Sequence, residues 1–414
     1  MVMLSGFLRF RLTDRLAHTG HVTDVAVDLA AGDYPSVRRL VVHTGRPRRT
    51  VMLPWSAVQS IEWRRRQILV TDLDDVSSES STAAVLARRD IMDALIVDVG
   101  NRHALRANDL WFREEGGQLW LAGADASPWA VVRRLGRGWL GRGAERRLVD
   151  WKDLEFLRGD PAAARRGHDY HRQITRLQPG EIARLLDALP YLHAAELLTL
   201  IDDPLAAETL EVMSPERQTQ VIQVLDMDQA VQLLSLMAPD LAADLLGYLA
   251  PDRAQRFLQQ ISAPKRDLIV DLLRYPDDTA GGIMTNELVR VRGSERVGAA
   301  RRDLKDYISS PDFANYLYVI DSDDEGHLEG VVSLREFAVA DDDTPIGSLM
   351  RREVTSIDAL EPARTAARQL VDRQLAALPV TSRDGRLLGA VTIDAALAQL
   401  APATWRDEAP RVFS

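Results

Sequence analysis

Residues 275–285 read YPDDTAGGIMT: an aromatic residue, a proline, two adjacent carboxylates, a glycine pair and a Met-Thr step. The stretch lies where the periodicity of the chain changes. Upstream, residues 214–273 divide into five twelve-residue blocks, SPERQTQVIQVL, DMDQAVQLLSLM, APDLAADLLGYL, APDRAQRFLQQI and SAPKRDLIVDLL. The eighth, ninth and twelfth places are large and apolar throughout: Val221, Ile222, Leu225; Leu233, Leu234, Met237; Leu245, Leu246, Leu249; Phe257, Leu258, Ile261; Ile269, Val270, Leu273. That is the i, i+1, i+4 stripe of a two-turn helix. Most blocks open with Ser, Asp or Ala followed by Pro, Asp or Met, a cap followed by a helix start. Helices this short cannot bury their stripe alone, so stacking into a helical solenoid is expected.

Downstream, residues 284–402 hold an internal duplication. ELVRV, a helix around AARRDLKDY, and YLYVIDSDDEGHLEGVVSLREF are matched by EVTSI, ARTAARQLVDRQ and ALPVTSRDGRLLGAVTIDAAL. Each copy reads strand, helix, strand, turn, strand, helix. Gly330 and Gly389 are expected to open the equivalent last strands, and Ser333 and Thr392 to end them.

At the other end, residues 1–75 alternate apolar and polar residues between turn signals, as in HVTDVAVDL, VRRLVVHTG and QILVTD. Period 2 predicts short strands in a small sheet or barrel. After the Ser-rich linker DDVSSESSTA, strand-like segments resume with ALIVDVG and LWLAGAD. VDWKDLEFL at 149–157 echoes LPWSAVQSI at 53–61, with Trp151 and Trp55 in equivalent places. Two copies of one small β-fold are expected, the second interrupted by RRLGRGWLGRG. A second linker, RGDPAAARRGHDYHRQ, follows.

The totals set bounds. A chain of 414 residues holds several domains. A net charge of −10 argues against broad nucleic-acid affinity. No cysteine is present, which excludes disulfides, thiolate metal sites and cysteine nucleophiles and fits a cytoplasmic location. No signal-peptide core and no apolar run of membrane-spanning length is found. P-loop, GxGxxG, HExxH and nucleophile-elbow patterns are missing, so a non-enzyme is expected.

YPDDTAGGIMT, YLYVID, GVVSLREF, ALPV and GAVTID, in this order and spacing, resemble the cytosolic region of MgtE-type magnesium transporters, a helical N domain followed by two CBS modules. The N-terminal repeats resemble PRC-barrel domains more distantly, through HVTDVAVDL…VRRLVV…LPWSAV. The expected fold class is multidomain α+β. Its parts are a PRC-barrel-like domain at 1–75, a second at 90–157, an MgtE N-like helical superhelix at 174–275, and CBS modules at 276–340 and 341–402. In the family an acidic connecting helix and a pore-bearing membrane domain follow the second module. Here GAVTIDAALAQLAPATWRDEAPRVFS closes the sequence, so a regulatory half without its channel is the expectation.

The resemblance implies Mg²⁺ at the seam between N domain and CBS modules, where Asp277, Asp278, the backbone of Gly281 and Asp394 occupy matching positions. Mg²⁺ takes oxygen ligands and keeps several waters. Alternatively, Asp277 and Asp278 cap a turn and Gly281–Gly282 supply positive φ. CBS pairs also bind adenine nucleotides (ATP, ADP or AMP), with a Ser or Thr at the last strand's end meeting phosphate and an Asp three residues on holding the ribose. Here Ser333 is followed by Glu336, and Thr392 by Ala395, which has no ribose ligand.

His168 and His171, spaced i, i+3, lack a third ligand nearby and read as linker. DSDDEG at 321–326 lacks the spacing of a Ca²⁺ loop and reads as a turn. RRLGRGWLGRGAERR is the one basic patch, able to meet phosphates, lipid headgroups or RNA, and reads otherwise as a solvated hairpin loop. The functional expectation is a cytoplasmic regulatory or adaptor protein, peripheral to the inner membrane face, homodimeric through its CBS modules, acting on a membrane transporter and binding no nucleic acid. The alternatives are a CBS-mediated scaffold with no small ligand, its helical array resembling FliG-type repeats, and an RNA- or ribosome-associated factor by analogy with RimM.

Overall fold

The computed structural model describes residues 1–29, 33–44, 49–73, 85–134, 146–157, 174–303, 316–322 and 326–400. The two linkers, His168 and His171, the middle of the basic segment, residues 323–325 of DSDDEG and the last fourteen residues lie outside the described residues. Two compact units, residues 1–202 and 203–414, are taken in turn.

Among the described residues of the first unit, eleven strands form one curled sheet, a half-barrel. The path across it runs Val2–Met3, Asp109–Glu115, Gln118–Asp125, Ser36–Thr44, Thr19–Asp28, Arg11–Thr13, Gln67–Val70 and Val58–Glu62. His103–Arg106, Leu95–Asp98 and Leu154–Leu157 make a separate three-stranded sheet. The Trp echo is structural: each of Trp55 and Trp151 opens a 3-10 turn between two strands and is buried.

The two sequence copies share strands and a core. Val2–Met3 pairs with Phe112 and Trp111, and Trp120 stands opposite Ser36. Trp55 Nε1 donates to the Gly117 carbonyl at 3.0 Å. One cluster joins Leu4, Phe7, Leu40 and Ile68 to Ile96, Leu110, Phe112 and Phe156. Asp24 is a buried carboxylate within strand Thr19–Asp28. It is 6% exposed and accepts N–H bonds from Val25, Arg88 and Arg89 at 2.8, 2.7 and 3.0 Å. A break in register between Val22 and Asp24 places Asp24 beside Val41, on the face opposite Val22 and Val25, where the segment around Arg88 and Arg89 covers it and burial pushes its carboxyl pKa up.

In the second unit, helices Pro215–Val224, Met227–Leu236, Pro239–Gly247, Pro251–Gln260 and Ala263–Leu272 begin twelve residues apart, matching the blocks. Pro at the first turn lacks an N–H where none is needed, and the Asp226 carboxylate accepts from Gln229 N at 2.9 Å. Each helix packs on the one two places along: Pro215–Val224 on Pro239–Gly247, Met227–Leu236 on Pro251–Gln260, Pro239–Gly247 on Ala263–Leu272. The predicted stripe is buried through Leu249. It loosens at the end of the array, where Leu258 and Val270 are half-buried and Leu273 is 40% exposed, with Leu272 buried instead.

The duplication is also observed. Arg290–Arg292 runs parallel to Tyr316–Ile320, which pairs antiparallel with Leu328–Ser333; Ile357–Asp358, Ala377–Thr381 and Leu387–Thr392 repeat the pattern. Gly330 and Gly389 sit third in their strands rather than first. Their role is close approach. Residues just ahead of each copy cross to the other copy: Thr285 bridges Ala390, and Arg351 bridges Val331. A Cβ on Gly389 would stand 2.5 Å from the Thr285 carbonyl and 2.7 Å from Met284 Sδ. One on Gly330 would meet Met350 and the Arg351 carbonyl within 2.6 Å. Tyr318, Ile320 and Leu288 of the first copy pack on Ala377, Leu387 and Ala390 of the second.

Gly389→Ala and Gly330→Ala are therefore expected to destabilise this unit by about 1–3 kcal/mol each through overpacking. Gly247→Ala, whose Cβ would meet nothing within 4 Å in a helix, should be stabilising by about 0.5–1 kcal/mol. Urea melting of the three variants checks both signs.

Candidate functional site

The junction YPDDTAGGIMT is built from backbone contacts onto the second copy. Ala363 N donates to the Asp278 carbonyl at 2.8 Å, Ala280 N to Glu361 O at 2.7 Å, and Gly281 N to Ala359 O at 2.8 Å. Thr279 closes the turn, its hydroxyl donating to Pro276 O at 2.7 Å while Gly282 N donates back to that hydroxyl at 3.2 Å. The expected positive φ is corrected: neither Gly281 nor Gly282 has it. Both are needed for space. A Cβ on Gly281 would lie 2.6 Å from the Tyr275 ring, and one on Gly282 2.1 Å from the Pro276 carbonyl. Asn286, 4% exposed, ties the junction to the helical array by donating to Leu268 O at 2.8 Å.

This lattice leaves the Asp277 and Asp278 side chains exposed at the seam. Asp394 is exposed in the first turn of helix Ile393–Leu400, which packs beside helix Ala363–Arg373, whose N-terminus receives the Asp278 carbonyl. Among the described residues no three acids or histidines converge as a metal cluster. The donors fit a hydrated Mg²⁺ held by one or two carboxylates, the mode that ion accepts, and do not form an all-protein cage.

The nucleotide residues are engaged in helix capping. Ser333 Oγ accepts from Glu336 N at 3.2 Å and donates to Glu336 Oε2 at 2.6 Å, and Ser333 N donates back to that carboxylate at 3.3 Å. This is a capping box for helix Leu334–Val339. Arg351 Nη2 reaches the other Glu336 oxygen at 3.0 Å. The Ser333 hydroxyl, then the Arg351 guanidinium, hold the Glu336 carboxyl below its ordinary pKa. Thr392 Oγ1 accepts from Ala395 N at 3.3 Å, the same cap without the carboxylate. Glu336, expected to face a ribose, is thus folded back on its own helix, and Ala395 at the matching place of the second module carries no polar side chain.

One feature carried no motif in the sequence. A cavity of about 370 Å³ opens among Arg292, Gly293, Glu329, Gly347, Ser348 and Arg352. It lies at the start of strand Leu328–Ser333, the opposite end from Ser333. Its lining comes from four separate stretches, so no local pattern could announce it.

Ser333→Ala should cost about 1 kcal/mol, the usual worth of such a cap. A depressed carboxyl pKa stabilises above the unfolded-state value of about 4.3 and loses that contribution as pH falls through the folded-state value. The melting-temperature gap between the parent and Glu336→Gln should therefore be full at neutral pH and shrink below about pH 4.

Residues 177–278 match the MgtE intracellular N domain, and residues 280–343 and 346–401 match the CBS domain. The magnesium transporter MgtE of Enterococcus faecalis is 40% identical over 126 residues, 30% of this chain and 27% of the relative. That of Thermus thermophilus is 35% identical over 140 residues, 34% of this chain and 31% of the relative. The chain thus spans about three tenths of the length of the curated relatives it matches. Among solved structures, the cytosolic domain of the Mg²⁺ channel MgtE in complex with ATP is 32% identical, with a TM-score of 0.51, covering 55% of this chain and 92% of that one. The soluble part of a magnesium transporter is 29% identical, with a TM-score of 0.52, covering 58% and 92%. Among the described residues no helix is long and apolar enough to cross a membrane. Residues 177–401 of this chain are an MgtE intracellular N domain followed by a pair of CBS domains.

Proposed function

We propose that this chain is a non-catalytic regulatory or adaptor protein that responds to Mg²⁺ at the seam between its N domain and its CBS pair and acts on a membrane ion transporter. The observation that supports it is the junction. Residues 278–281 are bonded to residues 359–363, so the Asp277–Asp278 pair is carried on a backbone shared by the helical array and the second CBS domain. An ion held by Asp277 and Asp278, with the Gly281 backbone and Asp394 as further oxygen donors, would favour one arrangement of these parts by its differential affinity. ATP, ADP or AMP is the second ligand class, suggested by the ATP complex of the similar cytosolic domain. Its site in this chain requires Ser333 and Glu336 to leave their capping box, or Thr392 to act without a ribose partner.

A homodimer through the CBS pair belongs to the same proposal. The adjacent helices Ala363–Arg373 and Ile393–Leu400 expose Val371, Leu397 and Leu400 at 48, 47 and 41%. A second reading, a dimeric scaffold with no small ligand, is favoured by that apolar face together with the engaged nucleotide residues.

Melting in EDTA, in millimolar Mg²⁺ and in Mg²⁺ with ATP separates the two. The sensor reading expects a rise of about 2 °C or more with Mg²⁺, lost in Asp278→Ala. No shift in any condition leaves the scaffold. In sedimentation velocity, the parent should run as a dimer and Val371→Glu/Leu397→Glu as a folded monomer.

A further inference from the structure

The chain carries a net charge of −10, yet residues 133–147 hold six arginines (133, 134, 137, 142, 146 and 147) against one acid, Glu145. Among the described residues two of them are neutralised. Arg133 pairs with the buried Asp125, and Arg134 with Asp93 at 2.8 Å. Arg146 and Arg147, at the far end of the segment, are exposed and have no carboxylate partner among the described residues. Arg9 adds a third such charge, its guanidinium donating, among the described residues, to the Arg134 carbonyl at 3.2 Å.

Strand pairing brings apolar side chains to the same edge. Leu148 stands opposite Asp125, and Ala126 N donates to the Arg147 carbonyl at 2.8 Å. The arginine pair therefore lies beside the turn that leads into Trp129. Trp129 is 43% exposed and Leu148 40% exposed.

We infer that this edge of the N-terminal sheet, formed by Arg9, Trp129, Arg146, Arg147 and Leu148, docks on an anionic lipid bilayer. Arginines with no carboxylate partner among the described residues meet lipid phosphates, and an exposed indole sits at the boundary between headgroups and acyl chains. A nucleic-acid base would stack on Trp129 but has no use for Leu148, whereas the bilayer boundary takes both. Three arginines and one indole make a reversible contact, weakened by salt.

The test is flotation of the full chain with phosphatidylcholine vesicles containing about one third phosphatidylglycerol, in EDTA so that any Mg²⁺ response is silent. Partition onto these vesicles is expected, with little onto pure phosphatidylcholine. Arg146→Glu/Arg147→Glu should lower it more than tenfold, at about fivefold for each arginine removed. Trp129→Ser should lower it severalfold. Arg256→Glu, an exposed charge on the second unit, should leave it unchanged, and all variants should melt with the parent. No partition, equal partition onto both vesicles, or full retention by the double variant overturns the inference. So does binding of a mixed-sequence RNA that the double variant loses while vesicles are ignored.

Discussion

The second unit depends on a reciprocal exchange of short segments. Met284–Thr285, at the start of the first CBS domain, packs on Gly389 and Ala390 of the second. Met350–Arg351, at the start of the second, packs on Gly330 and Val331 of the first. Each contact needs a strand position with no side chain, because the crossing backbone and methionine occupy the place of a Cβ. The exchange brings Tyr318 and Ile320 against Ala377, Leu387 and Ala390, so the seam between domains is a core in its own right. It also fixes the junction, since residues 278–281 are already bonded to 359–363 before Met284 and Thr285 reach their strand.

The polar residues at the ends of the last strands are committed to helix caps. Ser333 and Thr392 stand where a strand becomes a helix, so their hydroxyls face unpaired N–H groups of the first turn. The longer Glu at position 336 closes a capping box that Asp, one methylene shorter, fits less well, and Arg351 from the crossing segment holds it there. A ligand would have to replace these bonds in kind. The acid pair at 277–278 carries no such burden, because the junction is built from its backbone and leaves its carboxylates in water.

The N-terminal unit shows how a duplicated pattern need not give two independent bodies. Each copy is too small to bury its own apolar face, and sharing one sheet and one core removes that deficit. Asp24 makes the same point locally. A buried carboxylate is tolerated because three backbone N–H groups from residues 25, 88 and 89 surround it, and two of those come from the segment that leads into the second copy.

The sequence alone determined what depends on local spacing. The twelve-residue period set the helix starts at 215, 227, 239, 251 and 263, the period-2 runs set the strands, and the repeat of YLYVID and GVVS in ALPV and GAVT set the paired domains. Those features follow from burying a stripe or a face on a regular backbone, which a linear pattern encodes. Only the tertiary structure decided that Gly281, Gly282, Gly330 and Gly389 are sites of close approach, that Leu273 is left exposed, that Asp24 is covered by the segment around Arg88 and Arg89, and that Ser333 and Glu336 bond each other. Each of these depends on which distant segment arrives at the position, and contact across the fold leaves no periodic trace in the chain.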